Sequence, residues 1–567
     1  MIRNLAVTGI IRNFAPALAN LPVQVQFLYN NYNMGKFING GNDGFKRYAN
    51  GEYVDKTDLI SYINSTISKP TMLTCVTRLR RFGKTAAAQM LYAYYDKSSD
   101  SRELFAPYKI AADPSFVQHL NKYPAIYLDI TDFTTRYAGR EDIVDLMQAA
   151  IIKDLKKTYP EMEVDGDADL MDVLIDINIA IGEKFVMVID EWDAICREAA
   201  DKPSLMDKYV NFLRRMFKGG NTAKVFACVY MTGILPIKRY GTQSALNDFK
   251  EFSMTNADIL AGFIGFTEPE VKSLCKKYDM DYEEMKGWYD GYSFGLEYPA
   301  VFNPNSVMEA CNRHAYGNYW GRTSAFEALQ RYIDLDMTGI QESLEKLLRG
   351  ERQEVKALRF GFDVSSIDSD DELLTLFIHL GYLTYNVENN TAAIPNKEIR
   401  MEFVEALRGS KTHKKLSAMV KLSDRLMRAT LDGDEQQVAE IVGQIHDSDA
   451  GSDFYNNEQA LRSVLKLGYI SAIDKYISIQ ELPTGKGYAD LVFIPRIGGY
   501  LPAVVVELKW NKTEHAAIDQ IKERRSALPL RSSKNYPDVL KRFTENILLV
   551  GISYDETTKQ HTCKIER

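Results

Sequence analysis

Two groups of residues have types and spacings that could do chemistry. The first is Gly83-Lys84-Thr85, inside TRLRRFGKTAAAQML (Thr77 to Leu91). A phosphate is held by backbone N–H groups at a helix N-terminus, where the dipole favours an anion. Gly83 permits close approach, Lys84 can reach β- and γ-phosphates, and the Thr85 hydroxyl can ligate Mg²⁺. Arg78 stands where the first glycine of G-x-x-x-x-G-K-[ST] would be. The triplet alone is weak; its place between a strand-like run and a helix-forming run gives it weight. The competing reading is a surface turn capped by Thr85. KFVMVIDEWD adds a second half, with Asp190 and Glu191 at the carboxyl end of an apolar strand, where open α/β sheets bind ligands. Asp190 suits the Mg²⁺ shell and Glu191 the orienting of a water; an N-cap pair is the alternative. Thr232 is a candidate γ-phosphate sensor, with a turn residue as the plainer reading. Arg214 and Arg215 are candidate transition-state cations, with helix-surface arginines as the plainer reading.

The second group lies in GYADLVFIPRIGGYLPAVVVELKW (Gly487 to Trp510). Two apolar strands flank a Gly498-Gly499 turn, which brings Asp490 near the second strand. A period of two puts Glu507 and Lys509 on one face and Leu508 on the other. Two carboxylates at one point repel unless a cation sits between them. Hard oxygen ligands suit Mg²⁺ or Mn²⁺, which would polarise a phosphodiester and acidify a water, with Lys509 stabilising charge. Glu458, on the helix NNEQALRSVLKL, could complete the metal shell. The alternative is a Glu507/Lys509 pair on a solvated edge strand. From Lys509 to Arg542 nine Lys or Arg stand against four Asp or Glu, a local basic track that fits a phosphate backbone or a solvated helix face.

The elements that must position these groups alternate strand and helix from about residue 44 to 264. TMLTCVT, AIYLDIT, KFVMVID and KVFACVYMTG read as strands buried on both faces of a parallel sheet. Residues 265–370 read as a helical region. Residues 371–453 read as a winged-helix-like unit followed by a charged helical linker, with DSDAGSD (Asp447 to Asp453) as the best break. Residues 454–567 alternate helix and strand again. Residues 1–43 read as an N-terminal appendage. Met34 could be a second start, which would leave 1–33 outside the native sequence.

The 567 residues carry a net charge of −8, with 45% hydrophobic and 26% charged residues, ordinary globular usage. At roughly 150 residues per domain, about three or four domains are expected. The balance excludes a collagen, a disordered tail and a wholly basic nucleic-acid coat. Six cysteines without a C-x-x-C pair suggest buried thiols in a reducing compartment. No uncharged apolar run spans a bilayer, and Arg12 interrupts the N-terminal apolar stretch. A cytoplasmic protein with no membrane partner is expected. The seven histidines form no cluster along the chain, and His515 reads as a surface residue.

With both groups in view, the chain resembles bacterial AAA-ATPase-like proteins that carry a C-terminal PD-(D/E)XK nuclease-superfamily domain. The matching motifs are YVDKT, TRLRRFGKT, VIDEWD, MTGILPI, GFTEPEV, WYDGYSFG, FNPNSV, GYLTY, IPNKEIR, GYADLVFIP, VVVELKW and AIDQIKERR. They run from about residue 34 to 550. The resemblance implies a P-loop NTPase parallel-sheet domain and a restriction-endonuclease-like α/β domain. It implies ATP contact at Lys84 and Thr85, Mg²⁺ and hydrolysis roles at Asp190 and Glu191, and nuclease roles at Asp490, Glu507 and Lys509. It also implies that Gln520, in AIDQIKERR, stands near the nuclease site. Arg78 is shared by the family. Ser526 departs from it, standing where an aromatic tends to follow that helix glutamine.

Two functions follow as expectations. One is an ATP-binding ATPase coupled to a metal-dependent nuclease acting on DNA, in defence or mobile-element processing. The other is a nucleotide-gated nucleic-acid-binding or regulatory protein with a silent nuclease fold. In the second reading WYDGYSFG would be an interface cluster, although a core aromatic cluster is its simpler reading. Substrate sequence, cut type and oligomeric state stay open.

Overall fold

Apolar, β-branched runs separated by helices fold as a parallel sheet, because only a sheet covered on both faces buries such strands completely. The computed structural model describes residues 35–162, 167–198, 202–237, 246–295, 297–321, 325–335, 339–356, 367, 369–449, 458–483, 488–495, 501–526 and 546–567. Residues 1–34 of the 1–43 appendage, the Gly498-Gly499 turn, much of the Asp447 to Asp453 break and most of the basic track after Gln520 lie outside the described residues. The chain divides into two compact units. The first comprises Met1–Tyr282, Asp290–His314 and Val355–Asn390; the second comprises Glu283–Tyr289, Ala315–Glu354 and Thr391–Arg567.

In the first unit, β1 (Leu73–Thr77) leads into α1 (Lys84–Tyr95), followed by β2 (Ala125–Asp129), β3 (Phe185–Asp190), α2 (Ala194–Glu198), β4 (Phe226–Gly233) and β5 (Lys250–Phe252). The sheet order is β2-β3-β4-β1-β5, and every neighbouring pair is parallel. β1, β3 and β4 are buried along their whole length. The four strand runs read from the sequence are therefore present. The fifth, β5, is a three-residue edge strand with too little pattern to see. Because all strands run the same way, the loops after β1, β3 and β4 open on the same end of the sheet.

Residues 265–370 hold helices such as Glu268–Tyr278 and Pro304–Arg313, but also a small antiparallel sheet. Its strands are β6 (Phe266–Thr267), β7 (Tyr292–Phe294) and β8 (Tyr298–Phe302), in the order β6-β8-β7. Strands of two to five residues are too brief for alternation to register. Around residues 371–407 the expected order of helix, strand, turn, strand and helix appears as α3 (Asp370–Leu380), Thr384–Asn386, Thr391–Ala393 and α4 (Lys397–Gly409). Trp288, Tyr289 and Tyr292 of WYDGYSFG are buried, which favours the core reading of that motif.

In the second unit, α5 (Lys414–Asp432), α6 (Glu435–Asp449) and α7 (Glu458–Gly468) precede β9 (Tyr476–Pro483), β10 (Tyr488–Pro495) and β11 (Ala503–Trp510); α8 (Glu514–Ser526), β12 (Ile547–Asp555) and β13 (Gln560–Glu566) follow. The five strands lie in sequence order. All neighbours are antiparallel except β11 and β12. A parallel pair needs a crossover, and α8 stands in that connection. One sheet face carries Val504, Val506, Leu508, Val550 and Ile552 against Leu426, Ile441, Ile445 and Leu465 of the three preceding helices. On the other face Ile518 and Ile521 of α8 pack with Leu549 and Val505. All six cysteines of the chain are free and buried. No helix of the described residues is long and apolar enough to cross a membrane.

Candidate functional site

α1 begins at Lys84, and its N-cap, Gly83, has a φ of 92°, left-handed backbone that a residue with a Cβ rarely adopts. A Cβ at Gly83 would meet nothing within 4 Å, so the helix N-terminus is open there to an approaching anion. Lys84 is buried; its Nζ donates to Leu79 O at 3.2 Å and lies 3.3 Å from Glu191 Oε1. The Thr85 side chain lies near enough to Asp190 to favour its ionised form. The structure thus brings together Gly83, Lys84, Thr85, Asp190 and Glu191, all read from the sequence.

The acidic side holds more than the motif disclosed. β2 pairs with β3 so that Asp129 lies beside Asp190. Tyr127 donates to Asp190 Oδ2 at 3.1 Å. Burial, then the charge of Glu191, pushes the Asp190 carboxyl up to about 6, against the opposing effect of Thr85. Asp129 is raised as well, by burial and by Glu191 among its neighbours. Burial also pushes Glu191 up, but the Lys84 and Arg197 cations outweigh it and hold this carboxyl below its usual value. The three acids do not form a three-ligand metal group, but the Asp190 carboxylate beside the Thr85 hydroxyl offers hard oxygen donors of the kind Mg²⁺ takes. Thr85 and Asp190 would hold it.

Arg197 and Asp193 were missed in the sequence. Arg197, on α2, places Nη2 2.5 Å from Glu191 Oε2 and Nε 3.0 Å from Asp193 Oδ2. Asp193 is buried and accepts from the backbone of Ile234 at 3.2 Å and Leu235 at 3.0 Å. The available signal was the third acid of VIDEWD with an arginine four residues on, one helical turn away. Glu191 itself has a φ of 52°, a strained conformation for a residue with a Cβ, of the kind functional sites retain.

Arg78 does not stand in the loop as a glycine would. It is wholly buried, and Nη1 donates to Thr77 O at 2.8 Å and Phe252 O at 2.9 Å, tying the end of β1 to β5. Its guanidinium carbon lies 4.9 Å from the ring centre of Phe294. Burial lowers its pKa to about 10, still a cation at neutral pH. Thr232 Oγ1 is buried without a hydrogen-bond partner among the described residues. Arg215 pairs with Asp169 at 2.7 Å and Asp172 at 2.6 Å on the surface, in keeping with the plainer helix-surface reading; Arg214 Nη1 reaches Asn211 Oδ1 at 3.4 Å.

In the second unit, the register that pairs Leu491 with Val506 sets Asp490 across from Glu507. Asp490, Glu507 and Lys509 are all buried. Lys509 Nζ donates to Glu507 Oε1 at 3.1 Å. Asp490 accepts from Leu508 N at 2.9 Å and from Arg462 on α7, a cation the sequence reading did not anticipate. The reading of Glu507 and Lys509 as a solvated edge pair is excluded, because β11 lies between β10 and β12. Gln520 is half-buried on α8. The Glu458 side chain lies outside the described residues. Among the described residues no group of three His, Cys, Asp or Glu is placed to hold a metal; the donor set there is the Asp490 and Glu507 pair. His515 is exposed. Two of the seven histidines meet in space: His446 Nδ1 lies 3.0 Å from His561 Nε2.

No curated protein matches the chain. Residues 43–242 match the family model described as predicted AAA-ATPase. That span holds the loop of Gly83-Lys84-Thr85, the Asp190-Glu191 strand end and the Asp193–Arg197 pair, and the likeness supports an ATPase function for it.

Proposed function

We propose that the protein binds ATP at the Gly83-Lys84-Thr85 loop, hydrolyses it, and couples this to a metal-dependent nuclease of the PD-(D/E)XK type that acts on DNA. The observation that carries the nucleotide half is the meeting of Lys84 with Glu191 and of Thr85 with Asp190 at the carboxyl end of a parallel sheet. Lys84 neutralises phosphate oxygens that arrive at the open N-terminus of α1. Thr85 and Asp190 would hold Mg²⁺, which would supply neutralisation of the phosphate charge. Glu191, kept ionised by its cations, accepts a hydrogen bond from the attacking water and orients it. Lys84→Ala should abolish ATP binding measured by calorimetry; unchanged affinity would return the loop to a structural turn.

The nuclease half rests on Asp490, Glu507 and Lys509 gathering on neighbouring strands of a mixed sheet that α8 crosses over. A divalent ion held by the two carboxylates would polarise the scissile phosphodiester. Lys509 offsets negative charge beside it, and Gln520 lies on the helix packed over that face. The DNA would run along the basic track that begins at Lys509. A second reading, a nucleic-acid-binding protein with a silent nuclease fold, is favoured by one feature: Arg462 already engages Asp490. Cleavage of plasmid and linear DNA by wild type and Glu507→Ala, with Mg²⁺ or Mn²⁺, separates the two. Cleavage lost in Glu507→Ala supports the enzyme; no cleavage by wild type favours the silent fold.

A further inference from the structure

Glu191 is shared between two cations, with Oε1 3.3 Å from Lys84 Nζ and Oε2 2.5 Å from Arg197 Nη2. Lys84 cannot give its charge to a phosphate while Glu191 holds it. Arg197 is not free to follow Glu191, because its Nε is ion-paired with Asp193 at 3.0 Å, and Asp193 is itself pinned by two backbone N–H groups of the chain after β4. Arg197 is therefore a fixed post and Glu191 the part that can swing. Both lie in a partly desolvated site, where a charge pair is worth more than at the surface.

We infer that Arg197 is a positioning residue: it draws Glu191 off Lys84 when a triphosphate arrives, so that the lysine passes to the phosphates and the carboxylate is held ready beside them. This rests on the nucleotide-binding reading above and goes beyond it by assigning Arg197 and Asp193. Without Arg197, Glu191 leans wholly on Lys84 and competes with the ligand.

The test is a double-mutant cycle in Mg²⁺-ATP affinity on the full chain, with Arg197→Gln, which removes the charge but keeps a long polar side chain beside Asp193, alongside Glu191→Gln. Arg197→Gln should weaken binding about tenfold, within the range of coupled neighbours. Glu191→Gln should bind at least as tightly as wild type, and the double variant should match Glu191→Gln. Arg197→Lys should recover most of the loss. Equal weakening by Arg197→Gln with and without Glu191, or no weakening at all, would overturn the inference alone. A wild type as unable to bind ATP as Lys84→Ala overturns the nucleotide reading and the inference together.

Discussion

The ring of Phe82, one residue before Gly83, meets Tyr292 edge-on with centroids 5.4 Å apart. Tyr292 also donates its hydroxyl to Gly381 O at 2.7 Å. A Cβ on Gly381 would stand 2.6 Å from Leu79, and one on Gly265 2.6 Å from Phe82. The phosphate loop is thus braced from outside by residues of GFTEPEV, WYDGYSFG and GYLTY, motifs far along the chain.

Gly381→Ala should therefore disturb the loop from a distance. Gly381 has a φ of 87°, and the atom it would strike is the Cβ of Leu79, which cannot swing aside. A loss of about 1–3 kcal/mol of stability is expected, with weaker ATP binding. Denaturant unfolding and an ATP titration check this; a variant with wild-type stability and affinity would show that the contact is not needed.

Asp190 sets a pH dependence whose sign is fixed by its raised carboxyl, about 6 against an ordinary 3.8. The folded state holds this proton more tightly than the unfolded chain, so stability without nucleotide falls as pH rises from about 4 to about 6 and stays lower above that. Asp190→Asn should be more stable than wild type at neutral pH by about 2–3 kcal/mol, a gain that vanishes near pH 4. The same variant should lose Mg²⁺-dependent ATP affinity. Unfolding curves across this range decide it: a gain that does not change with pH contradicts the assignment.

Lys509 and Glu507 are a buried pair, and removing one member leaves the other's charge in a desolvated place. Lys509→Met alone should cost about 3–5 kcal/mol, while Glu507→Gln with Lys509→Met should recover much of it. The comparison is made by chemical denaturation. Equal losses in the single and double variants would mean that the lysine acts through packing of its stem.

His446 and His561 share one N–H between facing ring nitrogens. Burial, then the neighbouring His446, pushes His561 down to about 4, against the pull of Asp447. The unfolded imidazole takes up its proton near 6.5, so stability is full above that value and is lost as pH falls from about 6.5 to about 4. His561→Phe keeps a ring beside Tyr554, 4.7 Å away, and should flatten that acid slope in thermal unfolding. An unchanged slope would assign the loss to other groups.

Much of the first unit was legible because burial on both faces writes long apolar runs, and four such runs became β1 to β4. The two carboxylate strand ends were legible for the same reason: a charge closing an apolar strand stands out. What escaped was whatever depends on partners distant in sequence. The Arg197–Asp193 post looks like any helix ion pair until Ile234 and Leu235 are seen to hold it. Arg78 reads as a departure from a glycine pattern, and in the fold it is a clasp between two strands. Lys56 of YVDKT meets Glu270 of GFTEPEV at 2.6 Å and also donates to Gly262 O at 2.8 Å, so two motifs far apart in the sequence are halves of one structural contact. Arg462, which holds Asp490, sits on a helix whose sequence gives no hint of its aim.

The six thiols share one circumstance: each is shut away from water by folding. For Cys75, Cys228, Cys275, Cys311 and Cys563, burial also pushes the thiol above its ordinary value, so little thiolate is offered to an alkylating reagent. Because Cys75 and Cys228 lie on neighbouring strands of the first sheet and Cys563 on the last strand of the second, the order in which maleimide marks them on mild denaturation gives a clock for which sheet opens first.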